Sequence, residues 1–304
     1  MRPTPKRIVV LSGPTASGKS RVALGWAEAL GGEIVSADSA AVYRGFDVGT
    51  AKPSAADRAR VVHHGIDVVE ADQPFDVVRF VALADAAIAA AGSTPVVVTG
   101  GTGLYLRALV RGLVDAPGPD PELRAELEAQ AEREGRAAVH ARLAEVDPAA
   151  AARLSPNDLV RVVRALEAYE QTGVPLSERQ AAHGFGERRY DARFFALEVP
   201  ADELAARIDA RADAMIAAGL LDETRAHLGR FPRSVRPLCA VNYKQAVEHL
   251  VDGVPLEEAV RRMKTASRRY AKRQRTWLRG ETGVEWIPAS SPPAVDDVRR
   301  WIEA

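Results

Sequence analysis

The residues best equipped for chemistry stand near the start of the chain. Gly13, Pro14, Thr15, Ala16, Ser17, Gly18, Lys19 and Ser20 meet every fixed position of the pattern G-x-x-x-x-G-K-[ST]. The glycines let the backbone turn so that successive N–H groups point at one anion. The start of a helix, the Lys19 ammonium and the Ser20 hydroxyl add positive charge and a magnesium ligand. A diphosphate or triphosphate is the predicted occupant. The flanks agree with this reading: Ile8, Val9, Val10 and Leu11 form a short apolar run suited to a buried strand, and residues 21–30 have helical spacing.

Two further polar turns follow apolar runs. Glu33-Ile34-Val35-Ser36-Ala37-Asp38 reads as a second strand that ends on a carboxylate. Pro95-Val96-Val97-Val98-Thr99 is an almost uninterrupted apolar strand running into Gly100-Gly101-Thr102-Gly103. Residues 63–69 contain another short strand, 76–91 and 104–110 fit helices, and 43–52, with Gly45 and Gly49, reads as a loop over the site. Strands alternating with helices imply an α/β fold with a parallel sheet flanked by helices, in which ligands bind at the carboxyl edge of the strands. The turns at Gly13, Asp38 and Gly100 converge on that edge, which places Asp38 and Thr102 in one site with Lys19.

Composition bounds what the chain can be. Its 304 residues are 47% hydrophobic and 27% charged with a formal net charge of zero, which fits a globular protein and leaves partner choice to local fields. One cysteine, Cys239, excludes an internal disulfide and a cysteine-cluster zinc site. Only four strongly apolar residues follow Lys6 and Arg7, too few for a signal-peptide core, and no run approaches the length of a membrane span. The expectation is a cytoplasmic protein, with no membrane partner, working as a monomer.

From Asp115 the character changes. Asp-Ala-Pro-Gly-Pro-Asp-Pro is a clear break, and residues 122–170 are helical by spacing with no strand candidate among them. The sheet resumes at residues 193–199. The chain therefore divides into an α/β core, 1–111 and 191–304, and an all-helical insertion domain, 112–190. Residues 202–218 form an amphipathic helix with Arg207 and Arg211 four apart, able to reach one anion or, equally well, to pair with Asp209 or Asp213.

Residues 261–279 hold nine basic side chains and no acid. On a helix, Arg261, Lys264, Arg268, Lys272, Arg275 and Arg279 share one face, while Met263, Ala266, Tyr270 and Trp277 fall on the other. Six aligned cations with no acid in the stretch repel one another, so this face is predicted to bind a phosphate backbone rather than water alone.

With these residues laid out, the chain resembles the tRNA dimethylallyltransferases. The ordered matches are residues 13–20, Asp38-Ser39 with Val42-Tyr43-Arg44-Gly45, Gly49-Thr50-Ala51-Lys52-Pro53, Gly100-Gly101-Thr102-Gly103-Leu104-Tyr105, Pro156-Asn157-Asp158 with Arg164-Ala165-Leu166-Glu167, and Ala271-Lys272-Arg273-Gln274 with Thr276-Trp277. They cover nearly the whole chain. The resemblance implies transfer of a dimethylallyl group from dimethylallyl diphosphate to N6 of the adenosine 3′ of the anticodon, in tRNAs reading codons that begin with U, with Mg²⁺ as cofactor.

It implies roles as well. Asp38 is the general base, with Lys19, Arg211 and Thr102 as its catalytic partners. The tRNA anticodon stem-loop is expected at Asp38, Ser39, Ala40, Ala41 and Thr102, and on the insertion at Arg124, Val160, Arg161, Val162, Val163 and Arg164. Lys264, Arg268, Lys272 and Arg275 are expected to hold its backbone. Two departures stand out: Ala40-Ala41 replaces a larger pair, and Asn242 replaces glycine in Ala-x-Gly-Tyr-Lys, at a turn that asparagine tolerates best among the other residues. The alternative is a small-molecule kinase using ATP, since the 13–20 pattern fits either donor.

Overall fold

The computed structural model describes residues 6–186 and 188–303. It divides into two compact units: one runs up to Val110 and resumes at Arg189, and the other is Arg111–Arg188.

The first unit is built on six parallel strands. Strand β1 (Arg7–Ser12) leads through the 13–20 loop into helix α1 (Lys19–Leu30), followed by β2 (Glu33–Ser36), α2 (Ala55–Arg60), β3 (His63–His64), α3 (Val77–Ala90), β4 (Val96–Gly100) and α4 (Gly103–Arg111). The sheet order is β3-β2-β4-β1-β5-β6, with β5 (Asp191–Glu198) and β6 (Val284–Pro288) contributed by the returning chain. Side chains alternate between two cores, as period two demands. Ile8, Val10, Val96, Val98 and Phe194 enter the larger core, under α3 and α4. Val9, Leu11, Val97, Phe195 and Leu197 pack with Trp26 of α1.

Strand register sets the site. Ser12 lies opposite Gly100, and Ser36 opposite Thr99, so three strands end level and their turns share one rim. β3 is the short strand expected within 63–69, and it ends at His64, where Gly65 (φ 78°) and Asp67 (φ 55°) turn the chain. β6 was not anticipated.

The second unit is all helical. It holds α5 (Pro121–Glu134), α6 (Arg136–Val146), α7 (Pro148–Arg153), α8 (Leu159–Thr172) and α9 (Leu176–His183) around a core of Leu127, Val139, Leu143, Val162, Val163 and Leu166. Asp120 caps α5, accepting the N–H groups of Glu122 and Leu123, with Pro121 in the first turn.

The first unit closes with α10 (Ala201–Ala217), α11 (Leu220–Leu228), a short 3₁₀ turn at Arg236–Cys239, α12 (Tyr243–Leu250), α13 (Leu256–Arg279) and, after β6, α14 (Val295–Glu303). Among the described residues no helix is long and apolar enough to cross a membrane.

Candidate active site

The 13–20 loop turns at Gly13 and Gly18, and its Ser17 N–H closes on the Pro14 carbonyl at 3.1 Å. No backbone carbonyl among the described residues takes the N–H groups of Gly18, Lys19 and Ser20. These three face the start of α1, where the helix leaves its first N–H groups unpaired. A cavity of about 440 Å³ opens there, lined by Thr15, Lys19, Ser20, Asp38, Ala41, Thr50, Arg211, Tyr270 and Gln274 among others.

Its electrostatics are those of an anion site. Burial first, and then the Arg211 guanidinium, pull the Lys19 ammonium down to about 8, with the Asp38 charge pulling the other way. Arg211 is itself lowered by burial and raised by Asp38. Two half-buried cations so close repel each other, a cost that a diphosphate between them would remove. Arg211 Nη2 donates to the Thr50 carbonyl at 3.4 Å, and Arg207 Nη1 to the Ser17 carbonyl at 3.3 Å. The competing expectation, pairing with Asp209 or Asp213, does not hold: those acids turn to α13 and take Arg268 and Lys264.

Asp38 sits two residues beyond β2. Its Oδ1 accepts the Ala40 N–H at 2.8 Å and the Ala41 N–H at 3.3 Å. One carboxylate oxygen thus holds the turn, while Oδ2 accepts no hydrogen bond among the described residues. The neighbouring turn is braced against it: the Thr102 N–H donates to the Ala37 carbonyl, and Thr102 Oγ1 accepts the Ser39 N–H at 3.0 Å. Gly100 is required for this approach, since a Cβ there would stand 2.1 Å from the Ala37 oxygen.

Glu223 went unnoticed in the sequence, yet it holds the loop over the cavity. Its carboxylate accepts the N–H groups of Asp47 and Val48, each at 2.9 Å, and the Tyr243 hydroxyl. Asn242 takes φ 80°, as the turn demands, and its Nδ2 donates to the Gly49 carbonyl at 2.8 Å. No local pattern announces such a carboxylate, whose loop partners lie some 175 residues away. His63 also lines the cavity, its Nδ1 held on the Val61 carbonyl at 2.7 Å.

The cationic face of α13 is less naked than its sequence suggests. Lys264 pairs with Asp213, Arg268 with Asp209 and Arg261 with Glu258, while Arg279 approaches Glu198 at 4.0 Å. Lys272 and Arg275 make no ion pair among the described residues, and they line a groove of about 370 Å³ floored by Leu204 and Ile208.

In the helical unit, Val162 and Val163 are buried, so their side chains cannot serve the RNA contact expected of them; they face the core of α8. Val160 is 78% exposed, and among the described residues Arg161 pairs only with Asp158, one turn away. Arg124 grips fully buried Glu167 through two hydrogen bonds at 2.8 and 2.9 Å, and Arg164 adds a third at 2.5 Å. Burial alone would raise the Glu167 carboxyl; the hydrogen bonds of Arg124, the Asp120 N–H and Arg164 more than offset it and leave it low. Glu167→Gln is therefore expected to destabilise this unit by about 2 kcal/mol at neutral pH. Because the folded value lies below the unfolded one, the stabilisation is present above the ordinary glutamate range and lost as pH falls through the folded value. Urea unfolding of the two proteins at pH 7 and pH 4 checks it: the gap must shrink at the lower pH.

A sheet edge that presents free N–H groups, two cations and a carboxylate to one cavity is that of an α/β protein with an anion-binding edge. The comparisons with known proteins give this class its name. The chain belongs to the IPP transferase family, whose model matches residues 41–281. It is 57% identical over 293 residues to a tRNA dimethylallyltransferase of Anaeromyxobacter dehalogenans, covering 95% of this chain and 97% of that one. A Myxococcus xanthus protein of the same name is 49% identical over 288 residues, covering 94% and 92%. Among solved structures, the full-length tRNA isopentenylpyrophosphate transferase of Bacillus halodurans superposes with a TM-score of 0.69 at 36% identity, covering 99% and 96%. A eukaryotic dimethylallyltransferase acting on tRNA gives 0.79 at 27%, covering 93% and 74%. This membership favours alkyl transfer over the kinase alternative.

Proposed function

We propose that the protein transfers a dimethylallyl group from dimethylallyl diphosphate to N6 of the adenosine 3′ of the anticodon in tRNA. The observation that carries this reading is the single cavity shared by Lys19, Arg211, the free N–H groups of the 13–20 loop and Asp38. The diphosphate lies against the loop, with Lys19 and Arg211 on either side. As the allylic C–O bond breaks, its electron pair stays on the diphosphate, and the preorganised N–H groups and cations stabilise the charge that develops. The N6 nitrogen forms the new bond to that carbon, and its proton passes to Asp38 Oδ2. Adenine's amino group is a weak nucleophile, so placement carries much of the rate.

The Ser20 hydroxyl, at the exposed first turn of α1 and lining the same cavity, is an oxygen donor that would hold a magnesium ion. Such an ion would neutralise charge on the leaving group. The target base leaves its stack to enter, at low cost in a single-stranded anticodon loop. Of the residues expected to meet RNA, Lys272 and Arg275 on α13 make no ion pair among the described residues, and Arg161 and Val160 on the helical unit are well exposed, Arg161 with only its one-turn pair to Asp158 to give up.

Incubation with dimethylallyl diphosphate, Mg²⁺ and unmodified tRNA, followed by nucleoside mass analysis, should show the gain of one five-carbon unit on adenosine. No gain, beside ATP-dependent phosphorylation of a metabolite, would sink the proposal. The RNA contact has its own test. The double change Lys272→Glu and Arg275→Glu is expected to flatten the log–log salt dependence of tRNA binding by about 1.5 to 2, as two lost phosphate contacts require. Arg268→Glu, whose partner Asp209 already neutralises it, should flatten it less. An unmoved slope in the double variant makes the face a solvated surface.

A further inference from the structure

We infer that Gln274, on the inner side of α13, is a positioning residue that clamps the 13–20 loop to the Gly100–Thr102 turn and so fixes the anion cradle relative to Asp38. Gln274 is only 7% exposed, and both ends of its amide are committed to backbone. Oε1 accepts the Thr15 N–H at 2.8 Å, and Nε2 donates to the Gly101 carbonyl at 3.0 Å. One partner is a donor and the other an acceptor, so the orientation of the amide is set by its surroundings.

The position of this clamp matters more than its strength. Pro14 has no N–H and Ser17 uses its own on the Pro14 carbonyl, so Gln274 takes Thr15 and leaves Gly18, Lys19 and Ser20 for an anion. On its other side Gly101 adjoins Thr102, which holds the Ser39 N–H and thereby the turn of Asp38. Three hydrogen bonds and the peptide links between them therefore join the cradle to the Asp38 turn through one side chain. The approach is close: a Cβ at Gly101 would stand 2.1 Å from Nε2. Tyr270, one turn earlier on α13, lines the same cavity.

The rate arm of the test rests on the transferase reading; the exchange arm does not. Gln274→Met keeps the volume and removes both hydrogen bonds, and Gln274→Glu keeps the acceptor for Thr15 while losing the donor to Gly101. Amide hydrogen exchange of the full chain reads the clamp directly. Thr15 exchange should accelerate at least about tenfold in Gln274→Met and little in Gln274→Glu, with Ser17 unchanged in both. Transfer kcat should fall about 30-fold in both variants, because a displacement of a fraction of an ångström between base and donor is costly. In Gln274→Met the affinity for inorganic diphosphate should change less than about threefold, since the cradle N–H groups are other ones, whereas Gln274→Glu, which sets a carboxylate in the lining of the same cavity, should weaken it further. Unchanged Thr15 exchange in Gln274→Met overturns the clamp. Accelerated exchange with an unaltered kcat, or a lowered melting temperature with kcat unaltered below it, reduces Gln274 to a packing residue.

Discussion

Asp38→Asn is expected to lower the rate of transfer about 10²- to 10⁴-fold while leaving tRNA affinity within about threefold and the melting temperature nearly unmoved. Asparagine is the informative replacement because the two oxygens of Asp38 do different things. Oδ1 accepts the N–H groups of Ala40 and Ala41, and an amide oxygen can go on doing so. What disappears is the carboxylate charge of a residue that lines the cavity, the charge the proposed proton transfer needs. Asp38→Ala removes the turn's hydrogen bonds as well and should add a loss of stability of about 1 kcal/mol. Single-turnover measurements with tRNA in excess separate chemistry from binding. A full single-turnover rate in Asp38→Asn would show that N6 loses its proton elsewhere, and a fall in tRNA affinity equal to the fall in rate would make Asp38 an RNA contact.

Much of this site is legible in the sequence because it depends on short patterns. Residues 13–20 carry their own signature, and the runs before Asp38 and Gly100 are too apolar for anything but buried strands, so level strand ends follow from the parallel sheet. The face of α13 was legible only in part. Its buried side is Met263, Ser267, Ala271, Gln274 and Leu278, rotated from the stripe that apolar residues alone suggest. Ser267 and Gln274 are polar and buried because each bonds a partner, and a reading of hydrophobicity takes such residues for solvated ones.

The acids that neutralise Lys264 and Arg268 stand on α10, 51 and 59 residues earlier, so counting charges within residues 261–279 cannot find them. Arg124 and Arg164 teach the same lesson in the helical unit, where Glu167 draws both inward. β6 escaped notice because it is a short edge strand with only Ile287 fully buried.

Lys19→Met is expected to weaken binding of inorganic diphosphate about 100-fold and to slow transfer at least as much, because the charge it removes lies where the leaving group gathers its own. The pH dependence makes the prediction specific to the ammonium. With Lys19 held near 8 in the free protein, diphosphate affinity falls as pH rises above that value, since binding then requires taking up a proton. The neighbours set the direction of two further shifts. Asp38→Asn removes the charge that raises Lys19, so the fall begins at lower pH; Arg211→Gln removes the charge that lowers it, so the fall begins at higher pH.

Titration calorimetry between pH 6.5 and 9.5 measures all four proteins, and Lys19→Met supplies the baseline for titration of the diphosphate itself. Folding offers an independent check with its own sign. The Lys19 value lies below the ordinary lysine value of 10.5, so between the two the unfolded chain holds a proton that the folded chain lacks, and the stability of the ligand-free protein gains a rising contribution with pH. Lys19→Met should lose that contribution. Superposable pH profiles of the parent and Lys19→Met, in binding and in stability alike, would mean that Lys19 points away from the cavity in solution.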